Sequence, residues 1–300
     1  MTNALLNRRR ALLSLGLLAG GYAGVPCASA GAPTAHPASG DALERFVRLR
    51  SSPGHAPVMW VYDGVLLAKP EGHVAQPLLC SSGVTFSQVR PRDPGVYDFR
   101  LEEVGYFRDI ASREVLERWV NPLTGLEVRP RNYRTAKSLQ LWPEGPRAPS
   151  VPAEIEFHGA LTTLAELAGM IAMTEDLYVR VPATAAVAAT ASAPARDARP
   201  ERFLASLGTY TASLRDLQRP PSEWVDCQLS YSTMNSFEPW LGMANVAGIQ
   251  SLRLAGRKLP YTEIDAIPSW LRARIARDHP GFLDITTQWL RDGAVSGGET

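Results

Sequence analysis

Apolar and polar residues alternate along much of the chain after residue 58, in short runs closed by Pro, Gly, Asp or Asn. A period of two predicts half-buried strands. The runs fall at 58–67, 76–89, 96–108 and 114–121, and another strand is expected at 126–129 after the turn Asn121-Pro122-Leu123-Thr124-Gly125. Later candidates lie at 153–158, 177–181, 224–232 and 249–254. Tight links between neighbours, such as Asp109-Ile110-Ala111-Ser112-Arg113, force antiparallel pairing. Nine or ten strands with little helix between them predict a mostly β domain, an antiparallel meander closing into a lipocalin-like barrel.

Helical spacing occurs in fewer places. Leu43, Phe46, Val47 and Arg50 share one face of an expected helix at 42–50, which Ser51-Ser52-Pro53-Gly54 ends. Residues 203–207 are read as helix giving way to strand after Leu207. A clearer helix is expected at 261–278, with Ile264, Ile267, Leu271 and Ile275 on one face, Thr262 as N-cap and Pro280-Gly281 as the stop; it would cap one mouth of the barrel. The single domain is expected to run over 43–290. Residues 31–42 read as a flexible lead-in, the Ala/Pro/Thr-rich 182–200 as an exposed loop, and 291–300 as a flexible tail.

The first thirty residues have a different pattern. Arg8-Arg9-Arg10, the apolar run 11–23 and Ala28-Ser29-Ala30 read as an export signal of the twin-arginine type, cut near Ala30 and delivering the protein to the periplasm. The apolar run is interrupted by Gly16, Gly20 and Gly21 and falls short of the roughly 20 residues a membrane span needs. No stable span is expected, and Val25-Pro26 before Cys27 argues against a lipid anchor there.

Composition narrows the function classes. With 31 Lys+Arg against 30 Asp+Glu and 45% hydrophobic residues, the chain lacks the basic excess of a nucleic-acid binder and the polarity of a disordered one. Three cysteines exclude a disulfide-dense scaffold and a four-thiolate zinc site. Cys80 and Cys227 would either pair in an oxidising compartment or stay buried as free thiols.

Four blocks carry a resemblance: Trp60-Val61-Tyr62-Asp63-Gly64, the stretch 114–125 ending in Asn121-Pro122-Leu123-Thr124-Gly125, Pro239-Trp240-Leu241-Gly242-Met243, and Gly256-Arg257-Lys258-Leu259. In their order and spacing the chain resembles the exported domain-of-unknown-function family numbered eighteen-thirty-eight. The resemblance spans most of the chain after the signal and implies an exported protein without implying a reaction. After the Asn-Pro turn, a short His- and Asn-containing segment of that family is replaced here by Arg131-Asn132-Tyr133-Arg134-Thr135-Ala136.

Chemistry-bearing residues are few. No phosphate-cradling loop, Gly-x-Ser-x-Gly elbow or His-Glu-x-x-His occurs, so no motif calls for a cofactor. Glu103 stands on one strand face with Tyr97, Phe99, Leu101, Gly105 and Phe107. A carboxylate on an apolar face is disfavoured as a charge, which suits it to general acid or base work. The alternative is a structural pair with an arginine such as Arg118. Glu154, Glu156 and His158 alternate as a metal triad would, but a strand with a solvated outer face gives the same pattern, and no metal is assigned. Trp60, Tyr62, Tyr97, Phe107, Trp119, Tyr231, Trp240 and Met243 are the candidate lining of a barrel interior suited to a small apolar or aromatic ligand.

Three readings follow. The first is ligand binding in the barrel; the second is a cofactor-free isomerase, cyclase or lyase using Glu103; the third is a structural or interaction module with a filled core. An open cavity containing Glu103 favours the second, a cavity without a titratable group the first, and a solid core the third.

Overall fold

The computed structural model describes residues 40–149, 151–182 and 201–285. The expected export signal, the expected lead-in up to residue 39, the Ala/Pro-rich stretch beyond Pro182 and the expected tail lie outside these residues. Helix α1 (Gly40–Arg50) is followed by β1 (Val58–Pro70), β2 (Gln76–Asp93) and β3 (Val96–Arg108). A small hairpin, β4 (Trp119–Val120) with β5 (Glu127–Val128), precedes β6 (Tyr133–Trp142), β7 (Gly145–Arg147), β8 (Glu156–Leu167), β9 (Met170–Val181) and β10 (Arg202–Ser213). The one-turn helix α2 (Leu214–Leu217), β11 (Gln228–Asn235), β12 (Gly248–Pro260) and α3 (Ser269–Asp278) complete the elements of the described residues.

Ten strands form one antiparallel sheet in the order β7-β6-β3-β2-β1-β12-β11-β10-β9-β8. Each neighbour in that order is also the next barrel strand along the chain, except where β12 returns to β1. The sheet is therefore a meander nearly closed into a barrel. At the seam between β7 and β8, the Leu161 amide donates to the Glu144 carbonyl at 3.4 Å. A Cβ at Gly145 would lie 2.3 Å from the Gly159 carbonyl oxygen, so the two edges approach this closely because no side chain stands between them.

Strand parity decides what faces inward. Val58, Trp60 and Tyr62 on β1 share a face with Val89 on β2, Tyr97 and Phe99 on β3, and Leu139 and Leu141 on β6. Helix α1 lays Leu43, Phe46, Val47 and Leu49 against this inward set and closes one end of the barrel. Burial of side chains of this size contributes about 1.5–3 kcal/mol each. Its C-terminal carbonyls, which no helical partner can satisfy, receive a buried lysine: Lys258 Nζ on β12 donates to the Arg48 and Ser51 carbonyls at 3.1 and 2.9 Å. Burial lowers the Lys258 pKa to about 8.

The C-terminal helix covers the outer wall. Leu271 and Ile275 of α3 pack with Ile267 and Phe282 on Met59, Val84, Phe86, Val104, Tyr106 and Leu259, all on the outward face of β1–β3 and β12. With the lumen on one side and α3 on the other, β2 is buried almost continuously from Leu78 to Val89.

Several boundaries differ from the sequence expectation. The run 114–121 pairs as a strand only at Trp119–Val120. The Asp109 side chain accepts the Ala111 and Ser112 amides at 2.8 Å each, and this turn leaves the charged residues after it exposed. Residues expected as helix before Gly208 are strand throughout, because β10 pairs on both edges, with β9 and β11. The last helix begins at Ser269 rather than near Thr262. Pro268 holds the preceding Ile267 extended, at φ −70° and ψ 130°, which limits residues 264–266 to a single 3-10 turn.

Candidate functional site

The barrel interior is open. Beneath α1 lies an inner chamber of about 110 Å³, lined by Arg50, Trp60, Tyr62, Phe99, Leu101, Glu103, Lys137, Leu139, Glu175, Tyr210, Tyr231 and Leu254 among others. A second chamber of about 530 Å³ lies toward the opposite mouth, where Phe107, Tyr133, Leu204, Thr233, Trp240 and Leu252 face it. Glu103, Lys137, Tyr231 and Leu254 border both, so the two chambers adjoin inside the barrel. The mouth chamber alone falls in the range of about 300–1,000 Å³ common for small-molecule sites.

The floor of the lumen is a buried ion pair. Arg50, the last residue of α1, places Nη1 2.5 Å from Glu175 Oε1, with both side chains 7% exposed. The guanidinium carbon stands 3.9 Å from the Phe99 ring centroid, and the Tyr210 hydroxyl donates to the other Glu175 oxygen at 3.3 Å. Burial alone would lower the Arg50 pKa. The Glu175 charge and hydroxyl neighbours outweigh it and hold the guanidinium above its ordinary range.

Halfway along the lumen a tyrosine pair spans four strands. Tyr62, Gly83, Gly105 and Tyr133 lie side by side across β1, β2, β3 and β6. A Cβ on Gly83 would fall 2.2 Å from the Tyr62 hydroxyl oxygen, and one on Gly105 2.2 Å from the Tyr133 ring. Glycine at both central positions lets the rings fold inward over the wall until their hydroxyls meet at 2.9 Å. Burial raises both phenol pKa values, and the Glu103 charge raises them further. Glu103 itself accepts a long hydrogen bond from Thr135 Oγ1 at 3.4 Å, across β3 and β6.

The candidate residues separate by position. Trp60, Tyr62, Glu103 and Tyr231 line the inner chamber, and Phe107 and Trp240 line the mouth chamber with ring centroids 4.9 Å apart. Tyr97 faces inward but sits under α1 with its hydroxyl donating to Glu44, outside both chambers. Trp119 and Met243 pack into the lip of the mouth with Leu66, Leu79 and Leu241, and they line neither chamber. The barrel residues Tyr133, Lys137, Glu175 and Tyr210, together with Arg50, complete the lining and were not singled out by the sequence pattern.

Other candidates have different roles. Arg118 pairs with Glu127 at 2.8 Å rather than with Glu103. On the outer face of β8, Glu156 pairs with Arg180 at 2.8 Å and His158 stacks on Tyr178. Cys80 and Cys227 are free, buried thiols. The Arg113 guanidinium donates to Cys80 Sγ at 2.8 Å, whereas Cys227 belongs to the cluster under α1, where burial pushes its pKa up to about 12.

Two of the quoted sequence blocks meet at the mouth. Asn121 is fully buried; its Oδ1 accepts the Leu123 amide at 2.8 Å and its Nδ2 donates to the Leu241 carbonyl at 2.7 Å. That pair ties the Asn-Pro-Leu-Thr-Gly turn to the Pro-Trp-Leu-Gly-Met segment that presents Trp240. A scan against protein-family models finds no match, and a search of curated proteins finds none either.

Proposed function

We propose that this protein is an exported carrier or receptor that holds a small molecule with an apolar or aromatic body in the barrel lumen. The observation carrying this reading is the pair of adjoining chambers in the barrel, the inner one walled by Trp60, Phe99, Leu101, Leu139, Leu229 and Leu254 and set with polar groups that include Arg50, Glu103, Lys137 and Glu175. Apolar walls with a few converging polar groups are the usual make-up of a ligand site. Export to the periplasm is supported by the basic run, the short apolar segment and Ala28-Ser29-Ala30; membership of the exported family rests on the blocks quoted above.

Binding is tested with the neutral dye phenylnaphthylamine, whose fluorescence rises in apolar surroundings. Saturable binding that Leu254→Trp abolishes, in a variant that still folds, fits a ligand in the lumen. Binding unaffected by that substitution places the dye elsewhere and removes the reading.

A second reading is proton transfer on the bound molecule; the criterion of an open cavity containing Glu103 favours it, and it shares the binding step proposed above. It is favoured by one arrangement, a carboxylate in the lumen facing two buried phenol hydroxyls. Glu103 would take the proton and the tyrosine hydroxyls would donate to the oxygen that gains charge. On an identified substrate, Glu103→Gln should retain binding and lose turnover; full turnover would leave binding as the whole function.

A further inference from the structure

Lys137 is the cation that borders both chambers; Arg50, whose buried Nε has no partner among the described residues, lines the inner one, and Arg131 and Arg134 line the mouth. Lys137 points inward from β6, opposite Leu101 on β3, with Thr135 and Leu139 as its inward neighbours. Protein atoms surround it within the barrel, but its side chain is exposed and borders both chambers. No hydrogen bond or ion pair reaches it from any described residue. Burial opposes its charge, yet Tyr231, Glu103 and Glu175 together more than offset that penalty against the opposing Arg50, so Lys137 keeps its proton.

Its neighbours are committed differently. The Arg50 charge is taken by Glu175. Glu103 lies diagonally across the β3–β6 ladder and does not reach ion-pair distance of Lys137; its hydrogen bond goes to Thr135. The Lys137 ammonium, exposed beside Leu101, Leu139 and Leu254 in the chamber lining, has three donors and no acceptor among the described residues. The ligand is the natural source of that acceptor.

Building on the lumen-binding reading, we propose that Lys137 anchors an acidic head group, of the carboxylate or sulfonate type, on the apolar or aromatic molecule carried in the barrel. The head group sits where the two chambers join, and the body extends along the leucine-lined wall toward Trp60. Tyr231, which borders the same junction, offers a hydroxyl to the same group. Glu103 repels the anion and sets a preference for ligands whose acidic group lies on the Lys137 side.

The test uses two dyes that share an anilinonaphthalene ring system and differ in charge. Anilinonaphthalene sulfonate is the acidic probe and phenylnaphthylamine the neutral one, each titrated into the full-length mature protein. The readout is the ratio of their affinities. Loss of a charge-assisted hydrogen bond should lower that ratio at least about tenfold in Lys137→Met, and Lys137→Arg should preserve most of it. Glu103→Gln should shift the ratio the other way. Lys137→Gln replaces the Met variant if circular dichroism shows that the latter does not fold. An unchanged ratio in a folded Lys137 variant, with the neutral dye still bound, overturns the assignment of Lys137 alone. Failure of the wild-type protein to bind either dye overturns the lumen-binding reading and this inference with it.

Discussion

Glu175→Ala should strand the Arg50 guanidinium at the floor of the barrel. The pair is 2.5 Å long with each side chain 7% exposed, and Glu175 also accepts the Tyr210 hydroxyl. Removing one member of a buried pair leaves an uncompensated charge, at a cost of about 3–5 kcal/mol. Arg50 lines the inner chamber, so water entering the lumen should draw the loss toward the lower bound. Out of a total stability of roughly 5–15 kcal/mol this is a large fraction, and it corresponds to a fall in Tm of roughly 6–20 °C. The double variant Arg50→Met with Glu175→Leu tests the cause. Its apolar replacements fill similar volume without a charge, so it should recover at least half of the loss. Urea unfolding followed by tryptophan fluorescence measures Glu175→Ala, the two singles Arg50→Met and Glu175→Leu, and the double variant. Single-variant losses below about 1 kcal/mol, or a double variant that loses the sum of both singles, would refute the account of a buried, coupled pair.

Two further outcomes follow from the same lumen. Gly83→Ala puts a Cβ 2.2 Å from the Tyr62 hydroxyl oxygen and 2.3 Å from the Val104 carbonyl oxygen, so the ring must swing away, the tyrosine pair must part and the β3 backbone must shift; a loss of about 1–3 kcal/mol in thermal or urea unfolding is expected, and wild-type stability would contradict the packing described. Lys258 has its pKa lowered to about 8 from 10.5, so the unfolded chain binds that proton more readily between these values. The stability of the neutral form is then lost as pH falls from about 10.5 through 8, by up to about 1.4 kcal/mol per pH unit. Above about pH 10 the opposite sign takes over, because the buried phenols Tyr62, Tyr106, Tyr133 and Tyr210 have raised pKa values and the unfolded state ionises first. Lys258→Met should flatten the slope between pH 8 and 10, and an unchanged slope would assign it to other groups.

The strands legible in the sequence were those with an apolar inward face. β1, β2 and β3 carry Val58, Trp60, Leu66, Val89 and Phe99 on that face, and their alternation identified them, with the bounds of β3 placed to the residue. β6 lacked this pattern because its inward positions are Tyr133, Thr135, Lys137, Leu139 and Leu141, a polar half in the open lumen and an apolar half under α1. The same mixture hid Glu175 on β9 and led the first half of β10 to be read as helix. Glu103 was visible because its inward neighbours are apolar; Lys137, its counterpart on the next strand, was not. Periodicity finds the filled part of a barrel and passes over the part that stays open. Arg50 was visible as a residue on the apolar face of α1, but its role depends on a carboxylate 125 positions away, which spacing cannot supply.

The central claim is an accessible lumen between α1 and the mouth lined by Phe107 and Trp240. A crystal structure of the protein grown with phenylnaphthylamine tests it most directly. The account predicts the dye's rings inside the barrel, between Trp60, Leu101 and Leu254, with the Arg50–Glu175 pair intact beneath them. A lumen filled by collapsed side chains, with the dye bound on the outer wall beside α3 or absent, would contradict it.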